Sequence, residues 1–269
     1  MSSEGGNESR AELPKRLLHS TNNHREGWEM KVAEQNFKRH IGENRYPGRG
    51  LVIGRSSVED AWLEIYWVMG RSRHSQNRRF VVEGTVLRTV PVDESLVVDP
   101  SLIIYEAMLE LPGVYLVSNG DQTRTLYETL EGGRTFDDAL ATREREPDAP
   151  NYTPRISGMV DLRQEPASAT LSILKANKAD PELTDRHTFR PATPLPGLGY
   201  CITTYESDGD PLPSFSGDPL LLPCEGSAAD LLGSYWDALN EDTRVALAVK
   251  RISDSGGPGE IVVRNRFEG

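Results

Sequence analysis

From Tyr46 onward, apolar β-rich runs follow one another with few helices between them, and this consecutive order is what most limits the fold. Leu51–Arg55, Asp60–Met69 (DAWLEIYWVM), Arg79–Val90, Gly113–Ser118, Arg155–Leu162, Ala169–Ala176, Tyr200–Tyr205 and Glu260–Phe267 are rich in β-branched and aromatic residues and read as strands. Four segments read as helices. Pro100–Leu109 has Pro at a first-turn position and apolar residues on helical spacing. Asp121–Leu130 stops at Gly132-Gly133. Thr135–Glu144 and Ser227–Leu239 each open with a capping hydroxyl and an Asp three residues on. Asp242–Ile252 fits either state. Runs of strands not alternating with helices favour α+β over α/β. Two stacked antiparallel sheets between helical layers fit this pattern, which does not by itself impose them.

Before Tyr46 the chain changes character. Met1–Arg10 has almost nothing to bury and reads as a disordered tail. Glu26–His40 can form a short amphipathic helix through Trp28, Val32 and Phe37, packing on the main body or on a partner chain. The division expected is a polar extension over 1–45 and one domain over 46–269.

Charge and composition exclude several classes. Lys and Arg number 30 against 41 Asp and Glu, a net charge of −11. Phosphate neutralisation needs basic surface, so a general nucleic-acid binder is not expected. No run approaches the roughly 18 apolar residues of a membrane span, and the polar N-terminus does not resemble a secretory signal. Two cysteines, Cys201 and Cys224, make no disulfide framework. No His, Cys or carboxylate spacing matches a zinc site, so no metal or other cofactor is expected. A cytoplasmic protein is the expectation.

Four stretches carry polar chemistry. Tyr46-Pro47-Gly48-Arg49-Gly50 has glycines before and inside a strand, which rules out a dinucleotide loop and leaves a tight turn or a site. Gly70–Arg79 holds four arginines among Ser72, Ser75, Gln76 and Asn77, a positive island whose forks suit a phosphate. Val117-Ser118-Asn119-Gly120 leads from a strand to a helix start and reads as a turn or as amides offered to an anion. Glu146–Arg155 is stiffened by three prolines and carries Glu146, Asp148, Asn151, Tyr152 and Arg155, as a preorganised site would. Ser172 and Lys175 share the Ser-x-x-Lys spacing of penicillin-recognising enzymes by chance, without the companion motifs.

Taken in order, these strings resemble the archaeal-type IMP cyclohydrolase family. The matching residues are Tyr46–Arg49, Gly70-Arg71-Ser72 with Asn77-Arg78, Asp99-Pro100 leading to Tyr105, Val117–Gly120 with Thr123, Asn151–Ile156 and Cys201–Tyr205. The likeness runs from about Tyr46 to Phe267. It implies a four-layer αββα sandwich resembling the N-terminal-nucleophile hydrolases, without their nucleophile. It implies closure of 5-formamidoimidazole-4-carboxamide ribonucleotide to inosine monophosphate with loss of water. The family's catalytic arginine, tyrosine and glutamate fall on Arg78, Tyr105 and Glu146, with Asp148 the alternative to Glu146. Arg49, Arg71, Ser72, Asn77, Asn119, Asn151 and Arg155 are the expected substrate contacts. The expected partners are a small purine ribonucleotide and further copies of the chain, with no nucleic acid and no membrane. The extension before Tyr46 and an enlarged Arg190–Gly199 loop depart from the family pattern. The alternatives are a related amide-closing or amide-hydrolysing enzyme on another nucleotide, a nucleotide-binding protein without turnover, and an interaction module centred on the N-terminal arm.

Overall fold

The computed structural model describes residues 27–97, 100 and 103–267. Met1–Arg10, Glu26 and Asp99 lie outside them. The described chain opens as a helix, α1 (27–37), that tightens into a π-turn at Lys38–Gly42. Thirteen strands follow among the described residues. The first sheet contains β1 (Gly50–Arg55), β2 (Ala61–Met69), β10 (Leu198–Thr203), β11 (Leu220–Pro223), β12 (Arg244–Ser253) and β13 (Glu260–Asn265), in the order β11-β10-β1-β2-β12-β13. The second contains β3 (Arg79–Glu83), β4 (Val86–Val90), β5 (Tyr105–Leu111), β6 (Val114–Ser118), β7 (Arg155–Asp161), β8 (Ser168–Ala176) and β9 (Thr184–Phe189), joined in sequence order. Every pairing is antiparallel.

Side-chain alternation sorts the apolar residues into three layers. Leu51, Ile53, Trp62, Tyr66 and Val68 of the first sheet share one buried cluster with Tyr105, Tyr115, Val117, Ile156 and Leu171 of the second. The intervening residues Val52, Leu63, Ile65 and Trp67 face the other way, onto Leu231, Tyr235 and Trp236 of α5 (Ala228–Ala238). Leu116, Met159 and Leu174 of the second sheet meet Leu126 and Leu130 of α3 (Gln122–Glu131) and Phe136, Ala139 and Leu140 of α4 (Phe136–Ala141). The protein is thus α+β, with two antiparallel sheets sharing a core and helices on both outer faces. Strand β2 is buried along its whole length, which explains its almost unbroken apolar run.

Several expectations need correction. The helix expected over Pro100–Leu109 gives way from Tyr105 to β5, which pairs with β4 and β6, so sheet pairing overrides helical spacing there. Asp242–Ile252 resolves as β12. The Arg79–Val90 run divides at Gly84 (φ 63°) into the β3–β4 hairpin. In the N-terminal helix the packed residues are Ala33, Phe37 and Ile41, with Phe37 edge-on to Tyr235 at 4.8 Å, whereas Trp28 is 65% exposed. Strands β9 and β11 carried no usable signal. Each lies at a sheet edge, and the centre of β9 is polar and exposed.

Antiparallel pairing also explains why distant stretches meet. Gly50 pairs with Trp67 and Thr203, and Ser118 pairs with Ser157. The start of β1, the ends of β2, β6 and β10, and the start of β7 therefore gather at one end of the sandwich.

Candidate active site

At that end lies a cleft of ≈ 510 Å³, within the usual range for small-ligand sites. It is entered by side chains from Tyr46–Arg49, Met69–Arg78, Glu146–Thr153 and the segment after β10. The turn that delivers Arg49 depends on a glycine. Gly48 has φ +72°, and a Cβ there would sit 2.2 Å from Thr204 Oγ1. The backbone is clamped to that neighbour: Arg49 N donates to Thr204 Oγ1 at 3.1 Å and Thr204 N donates to Arg49 O at 2.8 Å.

Arg49 is the hub. Its Nη1 and Nη2 donate to Glu146 Oε1 and Oε2 at 2.8 and 3.1 Å, and Nη1 also donates to Asn119 O at 3.0 Å. Burial alone would lower the Arg49 pKa. The Glu146 carboxylate more than offsets it and holds the guanidinium protonated, well above its ordinary value. Two buried charges in a bidentate pair need this completeness of hydrogen bonding to be stable.

Arg78 is 6% exposed and lines the same cleft. Its Nε donates to Ser75 O at 3.0 Å, but among the described residues Nη1 is buried with no hydrogen-bond partner. A buried charged donor left without an acceptor is costly, so its position calls for an explanation. Arg71 stacks on the Tyr46 ring at 5.1 Å and donates to Asp208 Oδ1 and Gly209 O, both at 2.8 Å. Three guanidiniums against Glu146 and Asp148 leave the lining net positive, although the chain as a whole is acidic.

The remaining expected residues divide. Ser72 lines the cleft and caps the short turn α2 (Arg73–Gln76), its Oγ accepting from Ser75 N. Asn151 lines the cleft, with Oδ1 accepting from Leu212 N. Tyr105 lies beneath the lining, 5% exposed, its hydroxyl 2.7 Å from the Tyr66 hydroxyl. Burial, ahead of the Tyr105 contact, raises Tyr66 well above its ordinary value. Asn77, Asn119 and Arg155 are not in the lining. Asn77 exchanges two hydrogen bonds with the Asp93 backbone, at 2.7 and 2.8 Å. The Asn119 amide donates to Pro154 O and accepts from Ile156 N and Gln122 Nε2. Arg155 donates to Glu144 O, Asp121 Oδ1 and Gln122 Oε1. These three side chains tie loops together.

Tyr46, His74, Ser75, Thr153 and Tyr205 line the cleft and were not singled out as contacts from the sequence. Tyr46 and Tyr205 stack at 6.0 Å. Thr153 donates through N and Oγ1 to the two Asp148 oxygens, and its Oγ1 lies 2.6 Å from the Tyr205 hydroxyl. Tyr46 and Ser75 lie in stretches marked as polar, and Tyr205 ends the family-matching string Cys201–Tyr205.

The IMP cyclohydrolase-like protein family model matches residues 46–256, which spans every cleft-lining segment described. The chain belongs to the IMP cyclohydrolase-like family. Among curated relatives, the IMP cyclohydrolase of Methanothrix thermoacetophila is 30% identical over 172 residues, covering 61% of this chain and 76% of its own length. The family match begins at Tyr46, so α1 lies outside it while packing against α5.

Proposed function

We propose that the cleft is an IMP cyclohydrolase active site, closing 5-formamidoimidazole-4-carboxamide ribonucleotide to inosine monophosphate with loss of water. The observation that carries this reading is the unpartnered, buried Nη1 of Arg78 in a net-positive cleft. Ring closure within one molecule needs the carboxamide and formamido arms held in near-attack geometry. It also needs a donor where the formyl oxygen becomes an alkoxide, and a fixed guanidinium in a water-poor cleft supplies one. Such a donor has no partner until charge develops.

Arg78 takes the formyl oxygen in this assignment. Arg71, on the more open side and backed by Tyr46, takes the phosphate. Asn151 offers Nδ2 to the base edge. Arg49 and Glu146 fix each other and shape the floor, with Tyr66 and Tyr105 beneath. The helix–sheet–sheet–helix packing accords with an αββα sandwich like that of the N-terminal-nucleophile hydrolases, and the reading carries with it a cytoplasmic, self-associating enzyme of purine biosynthesis.

The test is product analysis with a panel of formamido and carboxamide ribonucleotides. Turnover confined to the imidazole precursor, giving inosine monophosphate, supports the reading. Turnover of another member of the panel, or binding of inosine monophosphate without any turnover, refutes it.

A further inference from the structure

The reaction needs a proton acceptor for the carboxamide nitrogen, and the cleft holds two carboxylates in different circumstances. Both oxygens of Glu146 accept from Arg49. A carboxylate in a buried bidentate pair loses that pairing if it takes up a proton. Asp148 faces no guanidinium at hydrogen-bond distance among the described residues. Its Oδ1 accepts from Thr153 N at 2.6 Å and its Oδ2 from the Thr153 hydroxyl.

That second bond orders the next one. A threonine hydroxyl has one proton. With it directed to Asp148, Thr153 Oγ1 can only accept from the Tyr205 hydroxyl, 2.6 Å away. The Tyr205 proton therefore points into the protein, and the phenol oxygen presents a lone pair to the cleft that it lines. A tyrosine so oriented is an acceptor for a substrate N–H. Burial raises the Tyr205 pKa, against lowering by Arg49 and by the Thr153 hydrogen bond, so the phenol passes a proton on and does not store the charge.

We propose that Tyr205 takes the proton of the attacking carboxamide nitrogen and that Thr153 hands it to Asp148. The inference rests on the cyclohydrolase reading and assigns its base. In the step, the nitrogen lone pair forms the bond to the formyl carbon and the carbonyl π pair moves onto oxygen, opposite Arg78. One proton leaves nitrogen for Tyr205 Oη, the Tyr205 proton moves to Thr153 Oγ1, and the Thr153 proton moves to Asp148 Oδ2. The negative charge passes from Asp148 to the alkoxide. Water then leaves with that proton and with the one on the formamido nitrogen, the carbon–oxygen pair departing on oxygen and the nitrogen–hydrogen pair becoming the new C=N bond.

The experiment compares Tyr205→Phe, Thr153→Val, Thr153→Ser and Asp148→Asn with the parent chain, measuring kcat, KM and the affinity for inosine monophosphate. Tyr205→Phe keeps the ring that stacks on Tyr46 and removes only the hydroxyl. It and Thr153→Val should lose about 10²-fold or more in kcat, the scale of an acid–base contribution. Their inosine monophosphate affinity should stay within about threefold, because the chain acts in the transition state. Thr153→Ser restores a hydroxyl and should recover most of the rate lost in Thr153→Val. Asp148→Asn, which cannot take up the proton, should likewise lose about 10²-fold or more in kcat. A parent that turns over while Tyr205→Phe or Asp148→Asn retains its rate overturns the relay alone. A parent with no turnover overturns both the relay and the cyclohydrolase reading.

Discussion

Arg78→Met separates a functional arginine from a structural one. The substitution keeps an unbranched chain of similar reach and removes the charge. It loses one hydrogen bond, Nε to Ser75 O, worth about 1.5–3 kcal/mol for a charged donor. It also removes Nη1, buried without a partner, whose desolvation costs about 1–3 kcal/mol or more. These effects oppose each other, so folding stability should change by no more than about 1 kcal/mol, a shift of roughly 2–4 °C in Tm for a chain of this size. Activity should respond differently. Loss of one oxyanion donor lowers kcat by about 10²–10³. The assay is thermal unfolding alongside steady-state cyclisation. An Arg78→Met variant that unfolds many degrees lower, or that keeps its turnover, would refute this role, because Nη1 would then be serving the fold or nothing at all.

The other predictions concern charge. Glu146→Gln should lower turnover, because it loosens the Arg49 guanidinium that shapes the floor of the cleft. It should also cost about 3–5 kcal/mol in chemical denaturation, because Arg49 is left buried with a neutral partner. Arg71→Ala should raise KM about tenfold with little change in kcat, as loss of a phosphate contact made equally in ground and transition states. Glu64 sits in the apolar run of β2 with both oxygens buried and unpartnered among the described residues. Burial raises its pKa to about 8, with Lys250 opposing and Glu110 reinforcing. The folded state then holds a proton that the unfolded chain releases above its ordinary value of 4.5, so stability falls as pH rises from about 4.5 to 8. Glu64→Gln should remove most of that slope in denaturation curves collected across this range, becoming more stable than the parent at pH 8 by a few kcal/mol.

The strands buried on two faces were legible because their composition leaves no alternative: Asp60–Met69 has too few polar residues to face water. The error at Pro100–Leu109 is instructive. Its apolar spacing satisfies a helix, but β4 and β6 offer backbone partners on both sides of β5, which no local pattern reports. The segments of the candidate site were legible as polar, Gly- and Pro-marked loops between strands. The role of each side chain within them was less so. Asn77, Asn119 and Arg155 have the chemistry of ligand contacts, yet neighbouring backbone groups and carboxylates engage them first. The Thr153–Tyr205 contact spans 52 residues of sequence and joins the segment after β10 of one sheet to the segment before β7 of the other, which only the stacking of the two sheets brings together. That both Glu64 oxygens lack a partner among the described residues is a property of packing, which the sequence of β2 does not report.

The most direct measurement follows the absorbance of the purified chain with 5-formamidoimidazole-4-carboxamide ribonucleotide in the presence of a chelator, with Arg78→Met in parallel. Conversion to inosine monophosphate by the parent, at a rate at least about 10²-fold above that of the variant, is the predicted result. An unchanged precursor, or equal rates for the two proteins, would contradict the assignment of this cleft.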